Sequence, residues 1–175
     1  TASHQPYHET PLPSGGTVDL YERTVILVDI DDERFFAVDL FAVGGGEQHD
    51  QSWHALTTRV EAPALPWVAQ ETGTLAGPAV EQFGTWTDRW GRERGDAPAY
   101  LTGIRRASLD APAAWTWPSG LPEGDAVRLT LVPLGGPAEV AMGRGWTPVA
   151  LEPKLDVVMV RRTVPAGTPS RFLTL

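Results

Sequence analysis

The stretch from Tyr21 to Val43, YERTVILVDIDDERFFAVDLFAV, decides the fold that the sequence predicts. Two runs rich in β-branched and aromatic residues flank the polar turn DDER, residues 31–34. Apolar strands joined by a short polar loop are typical of a β-hairpin. The first strand alternates at its start, whereas Val25 to Val28 is continuously apolar, which predicts a strand covered on both faces. The stretch therefore predicts an antiparallel hairpin.

Similar strand patterns recur along the rest of the chain. The candidates beyond residue 99 are YLTGIRRASL, AAWTW, AVRLTLVPL, AEVAMGRG, LDVVMVRRTV and RFLTL, with turn sequences such as LPEGDA and LGGPA between them. Residues 61–98 are punctuated by proline and glycine, so we expect them to wrap over a sheet as loops with short strands. Many short strands without a sustained helical period predict an all-β antiparallel sandwich without substantial helix. We assign it to residues 17–175, after an irregular lead-in over residues 1–16.

Composition narrows the classes of function. A chain of 175 residues with 42% hydrophobic residues suits one domain with a real core. The formal net charge of −8 disfavours nucleic acid and anionic membranes as partners. Because the chain has no cysteine, it can form neither a disulfide framework nor a thiolate metal site.

The run from Tyr21 to Leu56 combines an arginine, two apolar strands with aspartates, a glycine break and a strand that ends in histidine and an apolar residue. This pattern resembles the β-sandwich part of the heparinase II/III-like polysaccharide lyases. The later VRLTLVPL, VMVRRTV and RFLTL resemble the closing strands of that family. The residues that carry the resemblance are Arg23, Val28, Asp29, Asp39, Gly45, His49, Asp50 and His54.

The resemblance implies that this chain is the C-terminal β-sandwich portion of a larger lyase. In that family an upstream helical toroid supplies a catalytic tyrosine, and an HxHxD-like segment supplies metal ligands and a catalytic histidine; neither is present here. Such lyases cleave uronic-acid-containing polysaccharides, among them glycosaminoglycans and alginate, by β-elimination. We therefore expect a chain that is inactive alone, with an acidic polysaccharide and an upstream helical domain of the same polypeptide as partners, in a secreted or periplasmic protein. The alternative is a non-catalytic carbohydrate-binding or structural β-domain.

The segment GGGEQHDQSWHAL, Gly44 to Leu56, carries two of the four histidines. His49 and His54 differ by an odd number, so a regular strand places them on opposite faces, where they cannot hold one ion together. The resemblance implies that His54 lines the cleft and is one ligand of a zinc ion in the full-length protein. Zinc takes four ligands, and this chain lacks the others, so we expect no cofactor in it. The alternative is a histidine on a sheet face that bonds to a neighbour.

The segment TWTDRWGRER, residues 85–94, is the candidate for substrate binding. The arginine guanidinium binds carboxylate or sulfate groups through two parallel hydrogen bonds, and aromatic rings stack on pyranose faces. The candidate contacts are Trp86, Arg89, Trp90 and Arg92. A polar loop anchored by its tryptophans is the alternative.

Two further groups have structural interpretations. Trp115 and Trp117 share one strand face and are expected in the core rather than in an exposed stacking platform. The acidic group Asp29, Asp31, Asp32 and Glu33 is expected to be a solvated hairpin turn, because calcium needs six to eight oxygen ligands.

Overall fold

A computed structural model describes residues 2–4, 18–55, 59–82, 85–87, 93–95, 97–118, 126–147 and 150–175. These residues form antiparallel strands and one 3-10 turn, Ala97–Tyr100, and they contain no α-helix, hence none that could cross a membrane. The strands are β1 Ala2–His4, β2 Leu20–Asp29, β3 Phe35–Gly44, β4 Gln48–His54, β5 Val68–Ala69, β6 Thr85–Thr87, β7 Glu93–Gly95, β8 Thr102–Leu109, β9 Ala113–Pro118, β10 Ala126–Val132, β11 Ala138–Thr147, β12 Ala150–Thr163 and β13 Ser170–Thr174.

Two sheets form a sandwich, which confirms the predicted fold class. Sheet 1 has six strands in the order β1-β2-β3-β13-β10-β9, and sheet 2 has five in the order β4-β12-β11-β8-β5. A separate pair, β6-β7, stands outside both sheets. The lead-in is not irregular throughout, because β1 pairs with Thr24–Ile26 at the edge of sheet 1; residues 5–17 lie outside the described part of the chain.

The core lies between the facing sides of the two sheets. Trp115 and Trp117 of β9 are almost fully buried there, which confirms that they are core residues. Sheet 1 also contributes Phe41 and Phe172, whose rings stack with centroids 5.8 Å apart. The members from sheet 2 are Ala107, Leu109, Ala138, Val140, Met142, Val158 and Val160.

The outer face of sheet 2 is covered in part by the loop that precedes β8. Leu75 packs there against Ile104, Ala141 and Met159 in a second small cluster. Gly73 allows the tight turn beneath it: its φ is 76°, and a Cβ would lie 2.3 Å from the Gly77 carbonyl oxygen. The expectation that this region wraps over a sheet is confirmed for the residues that the structure describes.

The β2–β3 hairpin has two parts with different surroundings. Its base, residues 20–26 and 39–44, lies between β1 and β13, which pair with Thr24–Ile26 and Asp39–Val43. Beyond these points residues 27–38 continue as the hairpin arm, without a further strand beside them in the described chain. Leu27 is 46% exposed, so the prediction that Val25 to Val28 is covered on both faces is wrong. Ile26, on the opposite face of the same strand, is 36% exposed, so neither face of this run is fully covered.

Candidate functional site

Strand β4 carries the residues that the sequence singled out, and it presents them alternately. His49 and Gln51 are buried toward sheet 1, whereas Ser52 and His54 are exposed on the outer face of sheet 2. The register with β12 is regular from Gln48 to His54, so no bulge disturbs the alternation. The prediction that the two histidines face opposite sides is confirmed.

His49 uses both ring nitrogens inside the sandwich. Its Nδ1 lies 2.7 Å from the Ser170 Oγ, and its Nε2 lies 3.0 Å from the Gly45 carbonyl oxygen. Because a carbonyl only accepts, Nε2 donates, and in the neutral ring the Ser170 hydroxyl donates to Nδ1. A serine beside a histidine is the geometry of an activated nucleophile, but Ser170 is only 1% exposed, so no substrate reaches it. The pair joins β4 to β13 as a structural contact.

His54 lies at the end of β4 and is exposed, opposite Val157 of β12. No group of three or more histidine, cysteine, aspartate or glutamate residues that could hold a metal occurs among the described residues. Its exposure makes His54 the histidine of this strand that a ligand from outside can approach.

A half-buried ion pair lies next to β4, and the sequence reasoning missed it. The Arg23 guanidinium forms a bidentate ion pair with the Asp39 carboxylate, with Nε 3.0 Å from Oδ1 and Nη2 2.7 Å from Oδ2. It also lies 5.5 Å from the centroid of the Trp53 ring, and Gln51 Nε2 lies 3.5 Å from Asp39 Oδ2. Hydrogen bonds to Asp39 are the main cause that raises the pKa of Arg23 above its ordinary range.

The hairpin register was the signal that could have revealed this pair. Residues 23 and 41 are directly opposite each other, so Arg23 and Asp39 are diagonal neighbours on one face. The buried carboxylate is 4% exposed and requires a cation to be stable there, which Arg23 supplies. We conclude that these two residues align the hairpin base with β4.

Charged side chains of opposite sign alternate across the outer face of sheet 2. Asp50 accepts two hydrogen bonds of 2.8 Å from Arg161, which is directly opposite Glu139 on β11. Glu139 in turn lies 2.5 Å from Arg106 of β8. Hydrogen bonds to Asp50 raise the pKa of Arg161. Because each arginine has a carboxylate partner, this row of charges is a cross-strand contact rather than an open anion site.

The acidic turn at the end of the hairpin arm is an exposed loop organised by Asp31. Its Oδ1 accepts hydrogen bonds from the backbone N–H groups of Glu33 and Arg34, at 3.1 and 2.8 Å. Its Oδ2 pairs with the Arg34 guanidinium, and this hydrogen bonding lowers the pKa of Asp31. The interpretation as a solvated hairpin turn is confirmed.

The predicted glycan contacts lie mostly beyond what the structure describes. The backbone of Trp86 pairs with Arg94 in the β6-β7 ribbon. The side chain of Trp86, and the whole of Arg89, Trp90 and Arg92, lie outside the described residues. Their role in substrate binding stays a prediction.

Comparison with known proteins adds no relative. The chain matches no family model, no curated protein and no solved structure.

Proposed function

We propose that this chain is the β-sandwich portion of a heparinase II/III-like polysaccharide lyase and presents His54 to a cleft completed by another part of the polypeptide. One observation carries the proposal: β4 exposes His54 outward while its other histidine is bonded on both nitrogens inside. The resemblance of residues 21–56 supplies the family. The pairing of Arg23 with Asp39 supports it further, because two residues of that pattern act together.

The reaction proposed for the whole lyase is β-elimination on a uronic-acid-containing polysaccharide. A base removes the C5 proton beside a carboxylate whose charge is neutralised, and the C4 oxygen leaves. An exposed imidazole can position a substrate carboxylate or exchange a proton with it. The remaining reacting groups would come from outside this chain, so the chain alone is inactive.

Two measurements test the proposal. The purified chain should produce no rise in ultraviolet absorbance with heparin, heparan sulfate or alginate, since unsaturated sugars form only in the complete enzyme. In the full-length protein, His54→Ala should lower kcat about a hundredfold, which is the rate loss typical of removing a proton-transfer group. As a matched control, His49→Ala should mainly lower the melting temperature. Full activity of the His54→Ala enzyme would refute the role.

The second candidate is a non-catalytic carbohydrate-binding or structural β-domain. It is favoured by the buried contact of His49 with Ser170, which joins two strands and leaves neither side chain open to a ligand. Titration of the chain with heparin and alginate separates the cases. If the chain binds a polysaccharide, the full-length protein does not cleave it, and Trp86→Ala or Arg92→Ala abolishes the binding, the chain is a binding module. Absence of both binding and cleavage favours a structural domain.

A further inference from the structure

Arg105 of β8 is a half-buried cation that bonds to sulfur rather than to oxygen. In the part of the chain that the structure describes, its one hydrogen bond is from Nη2 to the Met142 Sδ, at 3.4 Å. The other half-buried arginines there differ: Arg106 and Arg161 pair with carboxylates, and Arg162 donates to backbone carbonyls of the β10–β11 turn. A thioether is a weak acceptor, and a charge partly removed from water is costly unless it is paired. Arg105 therefore keeps N–H donors for an oxygen ligand.

Trp67 holds the Arg105 guanidinium in position. The guanidinium carbon lies 4.8 Å from the centroid of the indole ring. The ring is itself fixed, because Trp67 Nε1 donates to the Pro63 carbonyl oxygen at 3.1 Å and its side chain packs against the main core. This cation–π contact stabilises the positive charge without supplying an anion. A ligand that binds Arg105 therefore meets a side chain that has already lost much of its freedom.

Arg144 adds a second cation on the same face of sheet 2. Arg105 is directly opposite Met142, and Arg144 follows two residues later on β11. Arg144 Nε lies 3.2 Å from Asp156 Oδ1, while Asp156 Oδ2 accepts a hydrogen bond of 2.9 Å from the Val60 N–H. Two arginines thus lie beside one carboxylate, both of whose oxygens are occupied. This local positive charge attracts an anion although the chain has a net charge of −8.

An irregularity in the backbone lies between the two arginines. The register of β8 with β11 shifts between Met142 and Arg144, beside Gly103. Gly103 has a φ of 63°, and a Cβ built there would meet no heavy atom within 4 Å. Bulges of this kind are common beside binding sites, where they redirect side chains. The described chain therefore leaves open space two residues from Arg105.

We propose that Arg105, positioned by Trp67 and flanked by Arg144, binds a single carboxylate or sulfate group. The planar guanidinium matches the paired oxygens of these groups. A nucleic acid is disfavoured, because one small cationic site does not offset its repulsion by an acidic chain. The anion site stands on its own geometry, and only the assignment of its ligand to an acidic polysaccharide rests on the proposed function.

An NMR titration of the arginine Nε–Hε resonances of the full chain tests the site. The probes are sodium sulfate, sodium glucuronate and an alginate tetrasaccharide, each added at a constant ionic strength set by sodium chloride. We expect all three to shift the Arg105 resonance in a saturable manner. The tetrasaccharide should bind more tightly than glucuronate, since it offers several carboxylates to one site.

Three variants measure the contribution of the guanidinium. Arg105→Gln should weaken sulfate binding at least about tenfold, because it removes the charged donors. Arg105→Lys should recover only part of the affinity, since an ammonium lacks the paired donors of a guanidinium. Arg171→Gln is the matched control: it removes the same charge from an exposed position on the outer face of sheet 1, so the affinity should stay within about twofold.

The outcomes separate the anion site from the proposed function. Shifts with sulfate and glucuronate but none with the tetrasaccharide would support the site and contradict a polysaccharide as its source. No saturable shift at Arg105, unchanged affinity in Arg105→Gln, or an equal loss in Arg171→Gln would overturn the proposal. If circular dichroism shows that Arg105→Gln is unfolded, the wild-type spectrum still decides, because the shifts must occur at Arg105 and not at Arg171.

Discussion

The base and the arm of the β2–β3 hairpin are made by the same two strands but have opposite surroundings. In the base, Phe41 is 8% exposed and packs against Phe172 and Tyr21, and the Asp39 carboxylate is paired. In the arm, Phe35 lies on the same strand and in a similarly apolar stretch of sequence, but its side chain is exposed to solvent. The burial of a strand residue therefore depends on what packs against its face of the sheet, not on the composition of its strand. The contribution of the hairpin to core stability should come from the inward face of the base.

The most sensitive test of this difference is to truncate one phenylalanine in the base and one in the arm. Phe41→Ala should lower the free energy of unfolding by about 3 kcal/mol, because it removes a buried ring from the core. Phe35→Ala should change it by less than about 0.5 kcal/mol, since its ring is exposed. Guanidinium denaturation followed by tryptophan fluorescence measures both. Equal losses in the two variants would contradict the division into base and arm.

The two ion pairs of the hairpin provide a second test. Asp39→Asn should lower the free energy of unfolding by about 2 kcal/mol, because it leaves Arg23 beside an uncharged buried amide. This is below the usual cost of breaking a buried pair, because the Arg23 side chain is 43% exposed. Asp31→Asn, in the exposed turn, should cost much less, because an exposed ion pair contributes little to stability. Urea denaturation at neutral pH compares them, and a larger loss for Asp31→Asn would overturn the ranking.

The smallest expected effect is on the pKa of Asp31 in the turn. Arg34 lowers the pKa of Asp31 below the ordinary 3.8. A depressed folded-state pKa stabilises the chain above the unfolded value, and this contribution is lost as the pH falls through the folded pKa. Carboxyl carbon shifts measured by NMR between pH 5 and about pH 2 should show this low midpoint. In Arg34→Gln the midpoint should move upward, and an unchanged midpoint would mean that the ion pair does not form in solution.

Local pattern was sufficient for several parts of the fold and the site. Alternation placed His49 and His54 on opposite faces, and the spacing of Trp115 and Trp117 predicted their shared burial. The DDER turn between two apolar runs located the hairpin. These features depend on a period of two residues and on turn chemistry, which are properties of short segments.

Other features depend on distant parts of the chain and were missed or wrong. The continuous apolar run at Val25 to Val28 suggested cover on both faces, but Ile26 and Leu27, on opposite faces of the strand, are 36% and 46% exposed. The partner of His49 is Ser170, which is 121 positions away. A residue at that separation is brought close only when the two sheets assemble, so no local pattern identifies it.

The sequence by itself determined the class of fold, the hairpin, the alternating faces of β4 and the acidic character of the chain. These follow from backbone geometry, the spacing of apolar side chains and a count of charges. Only the tertiary structure decided that Asp39 is buried with Arg23 and that Phe35 is exposed while Phe41 is not. Burial is set by what packs against each face of a strand, and that is a property of the assembled sandwich.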